Sequence, residues 1–135
     1  MAAPSSTVWG SVSSNDKGKL GIYTSLSNTN TQTTVTIEVW FYSKWSVKDS
    51  ANTFYFNNNA TSATTSRGAV TINHTSDSSW NTANQTKIAS YTYTYDRGTS
   101  AKTYSCAAKL ATIEVLDENI SVNYGLLTTA SMTFS

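Results

Sequence analysis

One cysteine, one histidine and one proline occur in 135 residues, and each scarcity removes a class of protein. Cys106 has no partner for an intrachain disulfide, and one histidine with one cysteine cannot build the usual three- or four-ligand zinc site. Cys106 sits in the apolar run Tyr104–Leu110, which reads as a buried, inert thiol. His74 follows the strand-like Val70-Thr71-Ile72-Asn73, and nothing local pairs it with Cys106, so no Cys–His nucleophile is expected. Pro4 precedes every expected strand, as it should where ladders need each N–H.

Charge is scarce as well. Charged residues make up 13% and the formal net charge is +1, against a usual charged fraction of about 25%. With no run of Lys or Arg, the chain lacks the field that draws nucleic acid or an anionic membrane, and neither is expected as a partner. No stretch approaches the roughly 18 apolar residues of a membrane-spanning helix. The opening Met1–Gly10 has neither a basic region nor an apolar one, so no secretory signal is expected.

What is present is hydroxyl, amide and aromatic. Ser and Thr supply about a third of the residues, and there are four Trp and eight Tyr. The apolar mass is densest in Thr34–Phe56. There Val35, Ile37, Val39 and Phe41 alternate with Thr34, Thr36, Glu38, Trp40 and Tyr42, the period of a pleated strand with one apolar face.

The remaining pattern is strand and turn. Strands are expected at Thr7–Val12, Leu20–Leu26, Thr34–Tyr42, Trp45–Asp49, Thr53–Asn57, Gly68–His74, Ile88–Tyr95, Tyr104–Leu110, Ile120–Tyr124 and Leu126–Phe134. Asn57–Arg67, made of small polar residues, reads as an exposed loop. The turn Asp96-Arg97-Gly98-Thr99 predicts a hairpin between Ile88–Tyr95 and Tyr104–Leu110. A phase slip between Leu110 and Ile113 predicts a bulge near Ala111. No helical periodicity runs over ten residues. Together these predict residues 1–6 as a flexible start and 7–135 as one all-β domain, an antiparallel two-sheet sandwich. An immunoglobulin-like order is the first expectation and a jelly roll the second.

No catalytic constellation stands out. The eight carboxylates are scattered, five of them as Asp at turns, where Asp commonly bonds its own backbone. A glycosidase needs two carboxyl groups about 5–10 Å apart with one of raised pKa. No calcium-loop spacing occurs, so no metal and no cofactor is expected. Four Asn-x-Ser/Thr triplets, at Asn59, Asn73, Asn84 and Asn119, are what such a composition generates by chance.

The aromatics carry the functional expectation. Sugars present apolar C–H faces that stack on Trp and Tyr, with Asn, Asp and Ser bonding their hydroxyls. The outward candidates are Trp40 and Tyr42, on the polar face of the central strand, with Tyr55 and Trp80. The alternative is that Trp40 and Tyr42 pack beneath a loop or a neighbouring domain. Tyr91, Tyr93 and Tyr95 are expected to face inward, because the other phase would bury Ser90, Thr92 and Thr94.

Three segments, WSVKDSANTFYF at Trp45–Phe56, YDRGTSAKTY at Tyr95–Tyr104 and CAAKLA at Cys106–Ala111, carry a resemblance. The chain resembles, over nearly its whole length, domains of the minor structural or tail-associated proteins of siphoviruses that infect Gram-positive bacteria. The likeness is one of texture and carries no catalytic motif, so no functional residue transfers with it. It implies a non-enzymatic virion domain, a spacer or adhesin whose partners are other virion proteins and host cell-surface glycan. Weak sites then gain from many copies on one particle. A carbohydrate-binding module acting beside a polysaccharide hydrolase is the other expectation.

Overall fold

The computed structural model describes residues 2–10, 18–44, 47–60, 62–74, 80–96, 102–115, 118–122 and 133–134. Among the described residues there are ten strands and no helix: β1 (Val8–Trp9), β2 (Lys19–Asn28), β3 (Gln32–Tyr42), β4 (Val47–Asn58), β5 (Ser66–His74), β6 (Thr86–Asp96), β7 (Lys102–Thr103), β8 (Cys106–Val115), β9 (Glu118–Val122) and β10 (Thr133–Phe134). One sheet runs β1-β2-β3-β6, the second β5-β4-β8-β9, and β7 pairs with β10 alone. All pairings are antiparallel.

The two four-stranded sheets face each other across one core, which makes the fold an antiparallel β-sandwich. Leu20 and Ile22 of β2 and Val35, Ile37, Val39 and Phe41 of β3 meet Phe54 and Phe56 of β4, Ile72 of β5 and Leu110 of β8. All are essentially without solvent exposure, and burying each such side chain is worth about 1.5–3 kcal/mol. The strict alternation of β3 produces this directly, since its even-numbered residues lie on the outer face. Thr33 shares the inner face, and its hydroxyl is satisfied by donating to Asn28 Oδ1 at 2.7 Å.

Strands that neighbour one another are not always consecutive. β3 pairs with β6, and β4 with β8, so the chain crosses between sheets after β3, after β5 and after β6. Counting the seven long strands from β2, the first, second and fifth share a sheet, and the third, sixth and seventh share the other. The constant-type immunoglobulin order divides six of its strands in the same way. The fourth, β5, pairs with β4, whereas the constant-type order puts it beside the fifth strand.

Several expectations are corrected. Strands β6 and β8 do not form a hairpin: they lie in opposite sheets, and their inner faces meet across the core. The Tyr91 ring of β6 stacks on Phe56 of β4 with centroids 4.4 Å apart, and that cross-sheet contact is what an in-sheet hairpin would have excluded. Trp45–Asp49 and Thr53–Asn57 are not two strands, since Val47–Asn58 runs continuously as β4 with a register irregularity between Asp49 and Asn52. The exposed loop expected over 57–67 is shorter than that, since Asn57 and Asn58 end β4 and Ser66 and Arg67 begin β5, and of its described residues Asn59, Ser62, Thr64 and Thr65 are exposed. Asn57 Oδ1 accepts from the N–H groups of Thr64 at 2.6 Å and Thr65 at 2.8 Å, and Ala63 is buried.

The irregularity expected near Ala111 is present as a register shift between Leu110 and Ile113 where β8 meets β9. At the N-terminus Ala3 N–H donates to Gln85 Oε1 at 2.7 Å and Thr7 N–H to the Pro4 carbonyl at 3.0 Å. Residues 126–132 of the last expected strand lie outside the described residues, as do 123–124 of the one before it, 45–46 of the fourth and 11–12 of the first; the turn residues 97–99 do too.

Candidate functional site

The outer face of the first sheet is where three aromatic side chains from distant parts of the chain converge. Lys19 and Gly21 on β2 stand opposite Tyr42 and Trp40 on β3, and Trp9 on β1 stands opposite Gly21. Because Gly21 has no side chain, the Trp9 indole lies directly over its Cα: a Cβ there would come within 2.6 Å of Trp9 Cε3. Trp9 and Tyr42 then meet with ring centroids 5.3 Å apart, and Trp80 closes on Tyr42 edge-on at 5.0 Å. The Lys19 ammonium stands over all three, 5.7 Å from the Trp9 centroid and 5.2 Å from those of Tyr42 and Trp80.

A groove of about 330 Å³ opens beside this cluster, between residues 2–5 and the segment following Trp80. Trp9, Thr82 and Gln85 line it together with Ala2–Ser5, and its volume lies at the small end of ligand sites, about 300–1,000 Å³. The loop that forms one wall is shaped by its own polar groups: Asn81 Oδ1 accepts from Ala83 N–H at 3.0 Å and the Asn81 carbonyl from Asn84 N–H at 2.9 Å. Gln85 is buried and holds the opposite wall through Ala3. Among the described residues no carboxylate or basic side chain lines the groove.

The four sequence-derived candidates are not brought into one patch. Trp40 and Tyr42 lie on the outer face of β3, yet they are covered, with only 2% and 5% of their surface exposed. Neither offers a free ring face. The expectation of two exposed stacking platforms is corrected, and the alternative of packing beneath covering segments describes them. Burial also raises the Tyr42 phenol above its ordinary pKa. The Trp40 N–H donates to Glu38 Oε1 at 3.0 Å, and Glu38 also meets Lys87 at 3.8 Å.

Trp80 is half-buried and belongs to the cluster with Tyr42. Tyr55 is on the other sheet, paired with Lys109 of β8, whose ammonium stands 5.2 Å from its ring. It therefore sits on the opposite outer face of the sandwich. Trp9, Thr82 and Gln85 were not singled out by sequence reasoning. The available signal was a small residue, Gly21, in an otherwise regular strand, which marks a place where something approaches closely.

Tyr91, Tyr93 and Tyr95 face inward and are half-buried against the core. Asn58 joins this ladder to the second sheet, donating to the Tyr95 hydroxyl at 2.6 Å and accepting the Tyr104 hydroxyl. Arg67 caps its other end, over Phe56 at 5.8 Å and Tyr91 at 5.9 Å. Cys106 is buried, and that burial pushes its thiol up to about 12, away from the reactive thiolate.

Among the described residues no three His, Cys, Asp or Glu side chains gather to hold a metal ion. No family model, no curated protein and no solved structure matches the chain.

Proposed function

We propose that the chain is a non-enzymatic, immunoglobulin-like module that binds saccharide in the groove beside Trp9 and serves in a phage virion as a tail-associated spacer or adhesin. The observation that supports the binding role is the groove itself, lined by the Trp9 indole, the Gln85 amide and the Ser5 and Thr82 hydroxyls and, among the described residues, by no charged side chain. An apolar platform with a few polar groups at its rim is the arrangement that stacks a pyranose and orients its hydroxyls. The virion setting rests on the resemblance of sequence texture, and repeated copies there would raise the avidity of a small site.

Saturation-transfer NMR against a set of bacterial cell-wall oligosaccharides tests the binding role. Saturation is expected to reach sugar C–H protons and to vanish in Trp9→Ala while the variant remains folded by circular dichroism. Signal unchanged in Trp9→Ala, or none for any sugar, overturns it. Gold-labelled antibody on purified particles tests the virion role, and label confined to the bacterial cytosol overturns that.

A further inference from the structure

We propose that the saccharide this groove accepts is anionic, bearing a carboxylate or a phosphate, and that Lys19 supplies the opposing charge; this rests on the reading of the groove as a saccharide site. Lys19 is half-buried and its ammonium is held by three rings, at 5.2, 5.2 and 5.7 Å. Aromatic faces attract a cation without neutralising it, so the full positive charge remains to be matched. Among the described residues it has no carboxylate. The ion pair on this face, Lys87 with Glu38, lies away along the strands, because Glu38 is opposite Tyr23, four residues beyond Lys19. Glu38 is further engaged by the Trp40 N–H.

Lys19 itself does not line the groove, but one of the rings that hold it, Trp9, does, so the ammonium stands 5.7 Å from the centroid of the indole that a bound sugar would touch, in a partly dry setting. Attraction there is less screened than at an open surface. Among the described residues the groove lining adds no negative charge to repel an acid, and Thr82 and the amide nitrogen of Gln85 remain for neutral hydroxyls. A neutral sugar would use the platform and leave the ammonium unpaired. An acidic one uses both.

Calorimetry on the intact chain tests this with matched probes: a tetramer of galacturonic acid against the neutral galactose tetramer, and a short glycerol-phosphate oligomer, each at about 20 and 300 mM salt. The wild type is expected to bind an acidic probe at least ten times tighter than the neutral one, with the gap narrowing at high salt. Lys19→Met keeps the apolar stem and is expected to bring the two within about twofold, while Lys19→Arg retains most of the preference. Preference for the carboxylate or for the phosphate probe identifies which acid is read, and either supports the proposal. Equal affinity for acidic and neutral probes in the wild type, or a preference untouched by Lys19→Met, overturns the charge inference and leaves the groove reading standing. Binding of no probe, or binding unaffected by Trp9→Ala, overturns the groove reading itself.

Discussion

The indole of Trp9 occupies the space that a side chain at Gly21 would need, with Trp9 Cε3 only 2.6 Å from the position of an added Cβ and Thr7 Cγ2 at 2.8 Å. A two-residue strand, β1, is thereby seated on β2 by the absence of a single methyl group. Gly→Ala inside a strand is ordinarily favourable on entropic grounds, so the sign of the effect here is diagnostic. Gly21→Ala is expected to destabilise by about 1–3 kcal/mol in urea unfolding and to weaken the near-ultraviolet dichroism of the Trp9–Tyr42–Trp80 cluster. In a Trp9→Ala background the same change is expected to cost less, because the indole contacts are gone and only Thr7 Cγ2 at 2.8 Å still opposes the methyl.

Glu38 has two partners on the outer face of β3, and they are worth different amounts. Its contact with Lys87 is 3.8 Å long with the lysine side chain 44% exposed, a type of pair worth about 0–1 kcal/mol. Its bond from Trp40 Nε1 satisfies an N–H of a residue that is 2% exposed. Lys87→Ala is therefore expected to change stability by under about 0.5 kcal/mol. Glu38→Ala strands the indole N–H and is expected to cost about 1–3 kcal/mol. Equal effects from the two substitutions, measured by chemical unfolding, would contradict this division.

The inner half of the sandwich was legible from the sequence and the outer half was not, for a physical reason. Period-two alternation decides which side of a sheet a residue occupies, and Val35, Ile37, Val39 and Phe41 follow it. It does not decide what covers that side. Trp40 and Tyr42 are enclosed at an end of the sheet where Trp9 and Trp80 arrive from opposite parts of the chain, and no local pattern announces that. The turn residues after Tyr95 had the same ambiguity, since the same turn chemistry serves a hairpin within one sheet or an arch between two. Stacking of Tyr91 on Phe56 across the core belongs to the arch.

Thr7 is buried and among the described residues its Oγ1 has no hydrogen-bond partner. A buried hydroxyl left unpaired carries its full desolvation cost, about 1–3 kcal/mol. Thr7→Val preserves the shape and removes that oxygen, so it is expected to raise the thermal midpoint and to stabilise by about 1 kcal/mol. Thr7→Ser keeps the hydroxyl but loses the methyl that lies over Gly21, and is expected to destabilise. If Thr7→Val lowers the midpoint instead, the hydroxyl is satisfied in solution and this assignment fails.

Alkaline pH should weaken the fold through buried acids, of which Cys106 and Tyr104 in the core carry the largest shifts. Burial pushes the Cys106 thiol from 9.0 to about 12, and burial, with the neighbouring Cys106 and tyrosines, raises the Tyr104 phenol above its ordinary value of 10.0. In each case the folded state holds the proton more tightly than the unfolded chain. Their contribution is complete below pH 9 and is lost as pH climbs from there toward the folded values, Cys106 first and Tyr104 above pH 10. The slope for each group reaches at most about 1.4 kcal/mol per pH unit. Urea midpoints are expected to be level from pH 7 to 9 and to fall beyond. Cys106→Ala should flatten the part that begins at pH 9 and leave the part that begins above pH 10. A thiol reagent added at pH 8 provides an independent reading: Cys106 is expected to react only at the rate of unfolding, and fast labelling of the native protein would show that its sulfur is not enclosed.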